Sequence, residues 1–468
     1  MSEDSSSDSD SVDKHSQEWP ASFDSLRSAK GFLQDCARSS KEQQTKTLLL
    51  PDKDADGLSA SQIIYHALVA LGHPPSLISV HFVTKGSNIH TANERTKINE
   101  HNAQFVIAVD QGSRGGPPLA DGQNIRTMVI DHHWSEQFPK DALVLSAAKY
   151  PPVATSSALA YMLCKDLPGV GILKAKREYL LERLCIIGTI GDLGSTSQFE
   201  DLWPREDMKA CVKKFKKKTL HDVVSLINAP RRTSKYDVDS AWNALMNSTP
   251  EEIVKASQTS SSEVKRLHEA RAEIKVEIAK VSRSPPLFSG DGHVALVRVT
   301  SGAQVHPVIA TRWANSLKSS KLRFVMCAND GYLPGMSNFS CRVAKCASQK
   351  PQATAPKSPR KTKLDIKDTA DDTFNEDNQD DEVNIIESLI KYAARDPGLR
   401  EAMGEDFARG HKQASGGIVQ TEYFERLWKV MLESEPPPDA DGSPARKRRK
   451  ADETTPQKNT LDSWIKRA

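Results

Sequence analysis

The sequence lacks any run of apolar residues long enough to span a membrane. Its longest apolar runs, such as "ALVALG" and "LLERLCIIGTIG", fall short of the roughly 18 to 20 residues that a membrane-spanning helix needs. The first 13 residues, "MSEDSSSDSDSVD", are acidic and polar and have no apolar stretch typical of a secretory signal peptide. Both absences predict a protein that acts away from membranes.

Paired cysteines are also missing. The seven cysteines are odd in number and scattered, without a CxxC pair. This spacing argues against a structural zinc site and against a disulfide framework. It favours free thiols in a reducing compartment.

Apolar residues are scarce for a chain of this length, since only 38% of the 468 residues are hydrophobic. We therefore expect folded blocks separated by segments that do not pack into a core. The composition predicts an acidic disordered N-terminus (1–18), a disordered insertion (349–382) and a disordered tail (434–468). Between them we expect a first block over 19–258, a connecting helix over 259–284 and a second block over 285–433.

The first block alternates short apolar strands with amphipathic helices. "KTLLLP", "FVIAVD" and "TMVIDHH" are such strands, and helical patterns lie between and after them. This order predicts an α/β domain with a mostly parallel sheet, whose ligands bind beyond the carboxyl ends of the strands. The second block, from "HVALVRV" onwards, predicts a smaller α/β domain.

Acidic side chains and histidines stand where these apolar segments end. They are Asp52, Asp54, Asp56, Asp110, Asp131, His132, His133 and Asp192. Carboxylates this close repel one another unless a cation neutralises them, although a solvated acidic turn is the plain alternative. Oxygen ligands with an imidazole nitrogen suit Mn²⁺ or Mg²⁺ better than zinc, and Asp110 could bridge two such ions.

Four motifs in this order resemble those of the DHH phosphoesterase superfamily, and the first resembles its RecJ-like nuclease branch most closely. They are "DKDADGLSA", "VIAVDQG", "VIDHH" and "GTIGDLG". In the second block, "HPVIATRWANSL", "FSCRV" and "ARGHKQASGG" resemble the DHH-associated domain that binds substrate. The resemblance covers roughly residues 20 to 432 and implies a DHH catalytic domain joined by a long helix to a DHH-associated domain.

The resemblance implies a role for each matching residue. The implied metal ligands for two Mn²⁺ or Mg²⁺ ions are Asp54, Asp56, Asp110, His132 and Asp192. Asp131 would orient the histidine pair, and His133 would face the phosphate, so that Asp131, His132 and His133 form the catalytic motif. Many relatives have a histidine where this chain has Leu50, and Asp52 or water would fill that ligand position.

The resemblance also implies substrate contacts in the second block. The implied contacts are Arg312, Ser340, Arg342, Gly410, His411 and Gly416. Arginines can grip phosphate oxygens as bidentate donors, and glycines let backbone N–H groups approach an anion.

Two features of the C-terminal tail predict where the protein acts and what it binds. "PARKRRK" is typical of a nuclear localisation signal. "KNTLDSWIKRA" resembles a PCNA-interacting peptide whose hydrophobic plug would be Leu461, Trp464 and Ile465, although Lys458 stands where glutamine is usual. Docking on a sliding clamp, another partner and no role at all remain alternatives for this peptide.

These features lead to a functional expectation. The resemblance, the basic clusters "KKFKKK" and "RRTSK" and the tail favour a metal-dependent exonuclease on single-stranded nucleic acid, DNA above all, in nuclear replication or repair. A 5′ to 3′ direction would follow the resemblance, but no residue fixes it. The alternatives are a hydrolase of oligonucleotides or small phosphoesters, and a non-catalytic replication scaffold.

Overall fold

A computed structural model describes residues 18–171, 179–194, 205–348, 383–404 and 407–434. The chain divides into two compact units, one containing residues up to 231 with 237–268, and the other containing 232–236 with the residues from 269 onwards. The segments predicted to be disordered, the nuclear localisation signal and the clamp-binding peptide lie outside the described residues, apart from Glu18 and Ser434.

The first unit is built on a five-stranded sheet of order β2-β1-β3-β4-β5, in which all neighbouring strands are parallel. Its strands are β1 (Thr47–Pro51), β2 (Ile78–Val80), β3 (Phe105–Val109), β4 (Arg126–Asp131) and β5 (Ala142–Ser146). Its described helices are α1 (Phe23–Gln43), α2 (Ala55–Ala70), α3 (Ala92–Glu100), α4 (Ser156–Cys164), α5 (Leu180–Leu193), α6 (Arg205–Phe215), α7 (Lys217–Ile227), α8 (Val238–Asn247) and α9 (Pro250–Val254).

The central strands are apolar because the sheet is covered on both faces. Every residue of β1 and β3 is buried, as expected for parallel strands with helices on either side. The prediction of an α/β domain with a mostly parallel sheet is confirmed.

Local capping determines where the two helices nearest the strand ends begin. The Asp54 side chain accepts hydrogen bonds from the backbone N–H groups of Asp56 and Gly57 and so caps α2. Thr155 accepts from the N–H of Ala158 and caps α4. Such caps satisfy N–H groups that would otherwise have no partner in the first helical turn.

The second unit is built on a six-stranded sheet of order β10-β11-β9-β8-β7-β6, antiparallel except for the parallel pair β7 and β8. Its strands are β6 (Leu287–Phe288), β7 (Val294–Val299), β8 (Phe324–Leu333), β9 (Met336–Val343), β10 (Arg409–His411) and β11 (Ala414–Gln420). Its described helices are α11 (His306–Ser316), α12 (Lys345–Ser348), α13 (Ile385–Ala393), α14 (Leu399–Ala402) and α15 (Thr421–Glu433). Helix α10 (Ser262–Val281) runs from the first unit into the second.

Alternate residues of these strands enter different cores. On β7, Val294 and Leu296 pack in a cluster with α13 and α15, whereas Ala295 and Val297 pack in a second cluster with α11. The period of two shows that both faces of the sheet are covered. Among the described residues, no helix combines the length and the apolar character needed to cross a bilayer.

Candidate metal centre

The acidic residues that follow three strands lie at one edge of the parallel sheet. Pro51 pairs with Val109, and Val109 pairs with Ile130. Asp52, Asp110 and Asp131 therefore come at or just beyond the same carboxyl edge. Strand β2 lies on one side of β1, and β3 and the later strands lie on the other. The gap between β1 and β3 is therefore the point where the strand order reverses, and ligands of open α/β sheets bind at such a point.

Three carboxylates converge at this point. One oxygen each of Asp52, Asp54 and Asp110 lies within 4.8 Å of the others. Asp110 is buried and adopts a left-handed backbone conformation with φ of 62°. In this conformation, which residues other than glycine seldom adopt, the Asp110 N–H donates to the Ile130 carbonyl at 2.8 Å.

The electrostatics of this cluster favour a bound cation. Burial, followed by the charges of Asp56 and Asp54, raises the pKa of Asp110 well above its ordinary value. Burial would also raise the pKa of Asp54, but Arg231 and the Gly57 N–H hold that pKa below its ordinary value. Arg231 Nη2 lies 3.8 Å from Asp54 Oδ2 and Lys53 Nζ lies 3.3 Å from Asp52 Oδ1. A divalent cation among the three carboxylates would remove the remaining repulsion.

His132 adds an open nitrogen ligand on the other side of Asp110. Its Nε2 atom is buried and has no hydrogen-bond partner. This atom lies 3.4 Å from Asp110 Oδ1 and 3.8 Å from Asp192 Oδ2. Buried polar atoms are rarely left without a partner, so this nitrogen fits a metal ion better than it fits a packed core. Asp110 thus belongs to two clusters of possible ligand atoms, the second formed with His132 and His133.

The buried carboxylate of Asp131 fixes both histidines. Its Oδ1 accepts hydrogen bonds from the His132 N–H at 2.8 Å, the His133 N–H at 3.2 Å and His133 Nδ1 at 2.8 Å. Its Oδ2 accepts from the Ser113 N–H at 3.1 Å. Asp131 thus contacts the His133 ring and the backbone of both histidines, and its role as their orienting group stays a prediction.

His133 differs from His132 in exposure and charge. Its side chain is half exposed. Burial would lower the pKa of His133, but the hydrogen bond and the charge of Asp131 raise it to about 9. A protonated imidazole carries a positive charge, which this ring presents to solvent at neutral pH.

Asp56 belongs to neither cluster and is buried against the start of α4. Its Oδ2 accepts from the Ser156 N–H at 2.8 Å, and its Oδ1 accepts from the Ser157 N–H at 2.9 Å. Burial raises the pKa of Asp56 to about 6, although the nearby His132 lowers it in part. Each oxygen keeps a further lone pair, and the role of Asp56 as a metal ligand stays a prediction.

Leu50 offers no ligand atom, because its side chain packs in an apolar cluster with Val106 and Ala108. The resemblance leaves Asp52 or water for this ligand position, and the Asp52 carboxylate lies beside those of Asp54 and Asp110. Its role as a ligand also stays a prediction.

Several supporting residues were missed in the sequence. Ser156 Oγ donates to Asp110 Oδ1 at 2.8 Å, and Asn228 Oδ1 accepts from the Ala55 N–H at 3.1 Å and from Arg231 Nε at 3.2 Å. The letters "TSS" predict a helix cap at Thr155. They do not indicate which carboxylates the start of that helix contacts. No sequence signal identified Asn228 or Arg231 as neighbours of the acidic segment.

In the second unit, most of the implied substrate contacts lie on three adjacent strands. Gly416 of β11 pairs with Ser340 of β9 and also with Arg409 of β10. Arg342 pairs with Ala414 and donates from Nη1 to Ser340 Oγ at 2.9 Å.

The remaining implied substrate contacts are two residues of β10 and one residue of α11. Gly410 has φ of 108°, and a Cβ there would lie 2.5 Å from the Ala414 carbonyl oxygen, so that position requires glycine. His411 pairs with Ala414 through its backbone; its side chain lies outside the described part. Arg312 lies on α11 and donates to Ser282 Oγ at 3.2 Å.

His306, at the start of α11, was not predicted. Burial, followed by the positive charges of Arg342 and Arg232, lowers its pKa to about 3. The ring is therefore neutral at physiological pH, and its buried Nδ1 has no hydrogen-bond partner. Arg342 and Arg232 thus place positive charge near the buried ring.

Known proteins resemble the chain in fold. Residues 46–189 match the DHH family, N-terminal domain. A crystal structure of RecJ in complex with Mn²⁺ from Thermus thermophilus superposes with a TM-score of 0.57 at 17% identity, covering 87% of this chain and 54% of that one. The chain thus spans about half the length of that protein.

Two further structures agree in fold. Exonuclease RecJ bound to manganese gives a TM-score of 0.53 at 16% identity, covering 87% of this chain and 93% of that one. The DHH domain of a protein from a ribosomal-protein family gives a TM-score of 0.54 at 12% identity, covering 89% of this chain and 94% of that one. No curated protein sequence matches the chain. The match over residues 46–189 agrees with the fold of the first unit, which has a candidate metal-binding cluster of aspartates and histidine at the carboxyl edge of its parallel sheet.

Proposed function

We propose that the chain is a metal-dependent phosphodiesterase that acts as a RecJ-like exonuclease on single-stranded DNA in nuclear replication or repair. One observation carries the proposal. Asp110 is shared by two clusters of possible ligand atoms, and the buried Nε2 of His132 beside it has no hydrogen-bond partner. This arrangement supports a pair of divalent cations, Mn²⁺ or Mg²⁺, of the kind present in the similar RecJ structures.

Different side chains of the first unit would bind the cations, orient the histidines and attract the phosphate. The residues that would hold the cations are Asp52, Asp54, Asp56, Asp110, His132 and Asp192. When bound, divalent cations would neutralise the charge of the phosphodiester and lower the pKa of a water molecule. Asp131 holds the imidazole of His133 and the backbone N–H of His132, and the positive His133 attracts the phosphate.

A polymeric substrate is supported by the positive charge of the second unit. Arg342, beside Ser340, can donate two hydrogen bonds to a phosphate, and Gly416 on the adjacent strand lets β11 lie close to the β9 backbone, because a Cβ there would lie 2.5 Å from the Phe339 carbonyl oxygen. Nuclear localisation through "PARKRRK" and clamp binding through Leu461, Trp464 and Ile465 are proposed from the sequence alone.

The test is hydrolysis of 5′- and 3′-labelled single-stranded DNA and RNA, from dinucleotides to long oligomers, with Mn²⁺, Mg²⁺ or EDTA. Wild type is compared with Asp110→Ala and His132→Ala. Asp121→Asn, which changes an exposed carboxylate of the same unit, serves as the matched control. We expect metal-dependent shortening of long DNA from one end, lost in both alanine variants and retained in the control.

Other outcomes would replace the proposal. Cleavage of dinucleotides alone would identify a hydrolase of small phosphoesters. If wild type and the alanine variants are equally inactive on every substrate, the protein is a non-catalytic scaffold.

A further inference from the structure

Trp134 directly follows the histidine pair, and 65% of its surface is exposed to solvent. Tryptophan is highly buried on average, because its large ring gains much free energy when it leaves water. A ring left exposed beside a candidate catalytic motif therefore points to contact with a ligand.

Chain geometry keeps Trp134 near the metal centre. Consecutive Cα atoms are about 3.8 Å apart, so the Cα of Trp134 lies within about 7.6 Å of the Cα of His132. His133, between them, is half exposed, and its ring centroid lies 4.5 Å from that of His132. Trp134 is thus an exposed aromatic residue within two positions of a candidate metal ligand.

Other exposed apolar side chains lie next to residues of the same site. Leu193, 43% exposed, follows Asp192, and Val153, 40% exposed, precedes by three residues the Ser156 that donates to Asp110. With Trp134, they make up three of the nine large apolar side chains exposed among the described residues. An inorganic phosphate has no apolar surface to cover such residues, whereas a nucleotide does.

A lysine side chain lies beside the exposed ring of Trp134. The Nζ atom of Lys149 lies 5.6 Å from the centroid of the Trp134 ring, and Lys149 is itself exposed. An aromatic platform beside a lysine is the combination that binds single-stranded nucleic acid, because bases stack on the ring and backbone phosphates pair with the cation.

We propose that Trp134 stacks on the nucleobase next to the phosphodiester at the metal centre, and that Lys149 pairs with a neighbouring phosphate. The inference rests on the proposed phosphodiesterase function and names the side chains that would hold one base and one phosphate of the single strand. A base inside a duplex is stacked on both faces and cannot offer one to the ring.

The experiment compares wild type, Trp134→Leu and Trp134→Phe on a single-stranded oligonucleotide and on the same strand with abasic residues at the cleaved end. On the normal strand we expect Trp134→Leu to raise KM by about tenfold or more, and Trp134→Phe to stay within about threefold of wild type. On the abasic strand all three proteins should have the same kcat and KM. Phe23→Leu, which removes another exposed ring of the same unit, should match wild type throughout.

Two results would overturn stacking: a wild-type KM for Trp134→Leu on the normal strand, or an equal loss on both strands, which would mean a structural role. Binding measured by fluorescence anisotropy separates this inference from the proposed function. If wild type hydrolyses neither strand, the proposed function fails. If Trp134→Leu then binds the normal strand more weakly than wild type does, but binds the abasic strand equally well, stacking is still supported. If the two proteins bind the normal strand equally well, stacking is overturned.

Discussion

At the scale of single residues, Asp110 is the side chain that both clusters of possible metal ligands share. It is buried, and burial with the charges of Asp56 and Asp54 raises its pKa well above the ordinary value. Because its pKa is higher in the folded than in the unfolded state, ionised Asp110 destabilises the metal-free protein at neutral pH. A bound cation would reverse the sign of that contribution.

We therefore expect Asp110→Asn to have opposite effects with and without metal. In EDTA at pH 7, the variant should be at least as stable as wild type, since asparagine relieves the repulsion and can still accept from Ser156 Oγ. With Mn²⁺ at about 100 times its Kd, wild type should gain about 2.7 kcal/mol of unfolding free energy and the variant much less. Urea denaturation in both buffers measures this.

Asp121→Asn is the control for weak surface binding of Mn²⁺ and should gain as much as wild type. A variant that is less stable than wild type in EDTA, yet equally stabilised by Mn²⁺, would show that Asp110 has a structural role and does not bind the ion.

At the scale of elements, the site depends on how closely α5 packs against α2 and α4. Gly188 of α5 makes this approach possible, because a Cβ there would lie 2.3 Å from Ser157 Oγ and 2.6 Å from Asp56 Oδ1. A side chain at this position would push apart the helices that carry Asp56, Ser157 and Asp192. Gly31 in α1 offers a contrast, since a Cβ there would meet no atom within 4 Å.

We expect glycine-to-alanine changes at these two positions to act in opposite directions. Gly188→Ala should destabilise the protein by about 1–3 kcal/mol through overpacking and weaken Mn²⁺ binding. Gly31→Ala should stabilise it by about 0.5–1 kcal/mol, because alanine is the better helix former where space is open. Chemical denaturation and Mn²⁺ titration measure both effects. Stabilisation by Gly188→Ala would contradict the close packing of α5.

At the scale of the whole molecule, each unit has its own core. The first unit buries the strands β1, β3 and β4 beneath its helices, and the second buries alternate residues of β7 and β8 in two clusters. The candidate metal ligands all belong to the first unit. Metal binding should therefore stabilise the two units unequally.

Amide hydrogen exchange should reveal this difference. On adding Mn²⁺, we expect slower exchange in peptides that contain residues 52–57, 110–113 and 131–133, and no change in peptides from β7 to β9. The same experiment on Asp110→Ala should give no slowing in either unit. Equal slowing in both units of wild type would instead show that metal binding is coupled to the second unit.

The sequence by itself determined the fold class and the edge of the sheet at which the acidic residues meet. Asp52, Asp110 and Asp131 could be assigned there because apolar runs predict buried strands, and parallel strands bring their carboxyl ends to one edge. The resemblance added roles for His132 and His133. These are consequences of local pattern and chain order, which a sequence displays directly.

Only the tertiary structure decided which partners each side chain meets. Asp56 faces the start of α4, 100 residues further along, and Arg231 lies beside Asp54. The exposure of Trp134 and the burial of His306 were likewise invisible in the sequence. Periodicity predicts whether a residue faces the core, but contacts between distant segments depend on how the helices pack, and that packing arises from the whole chain at once.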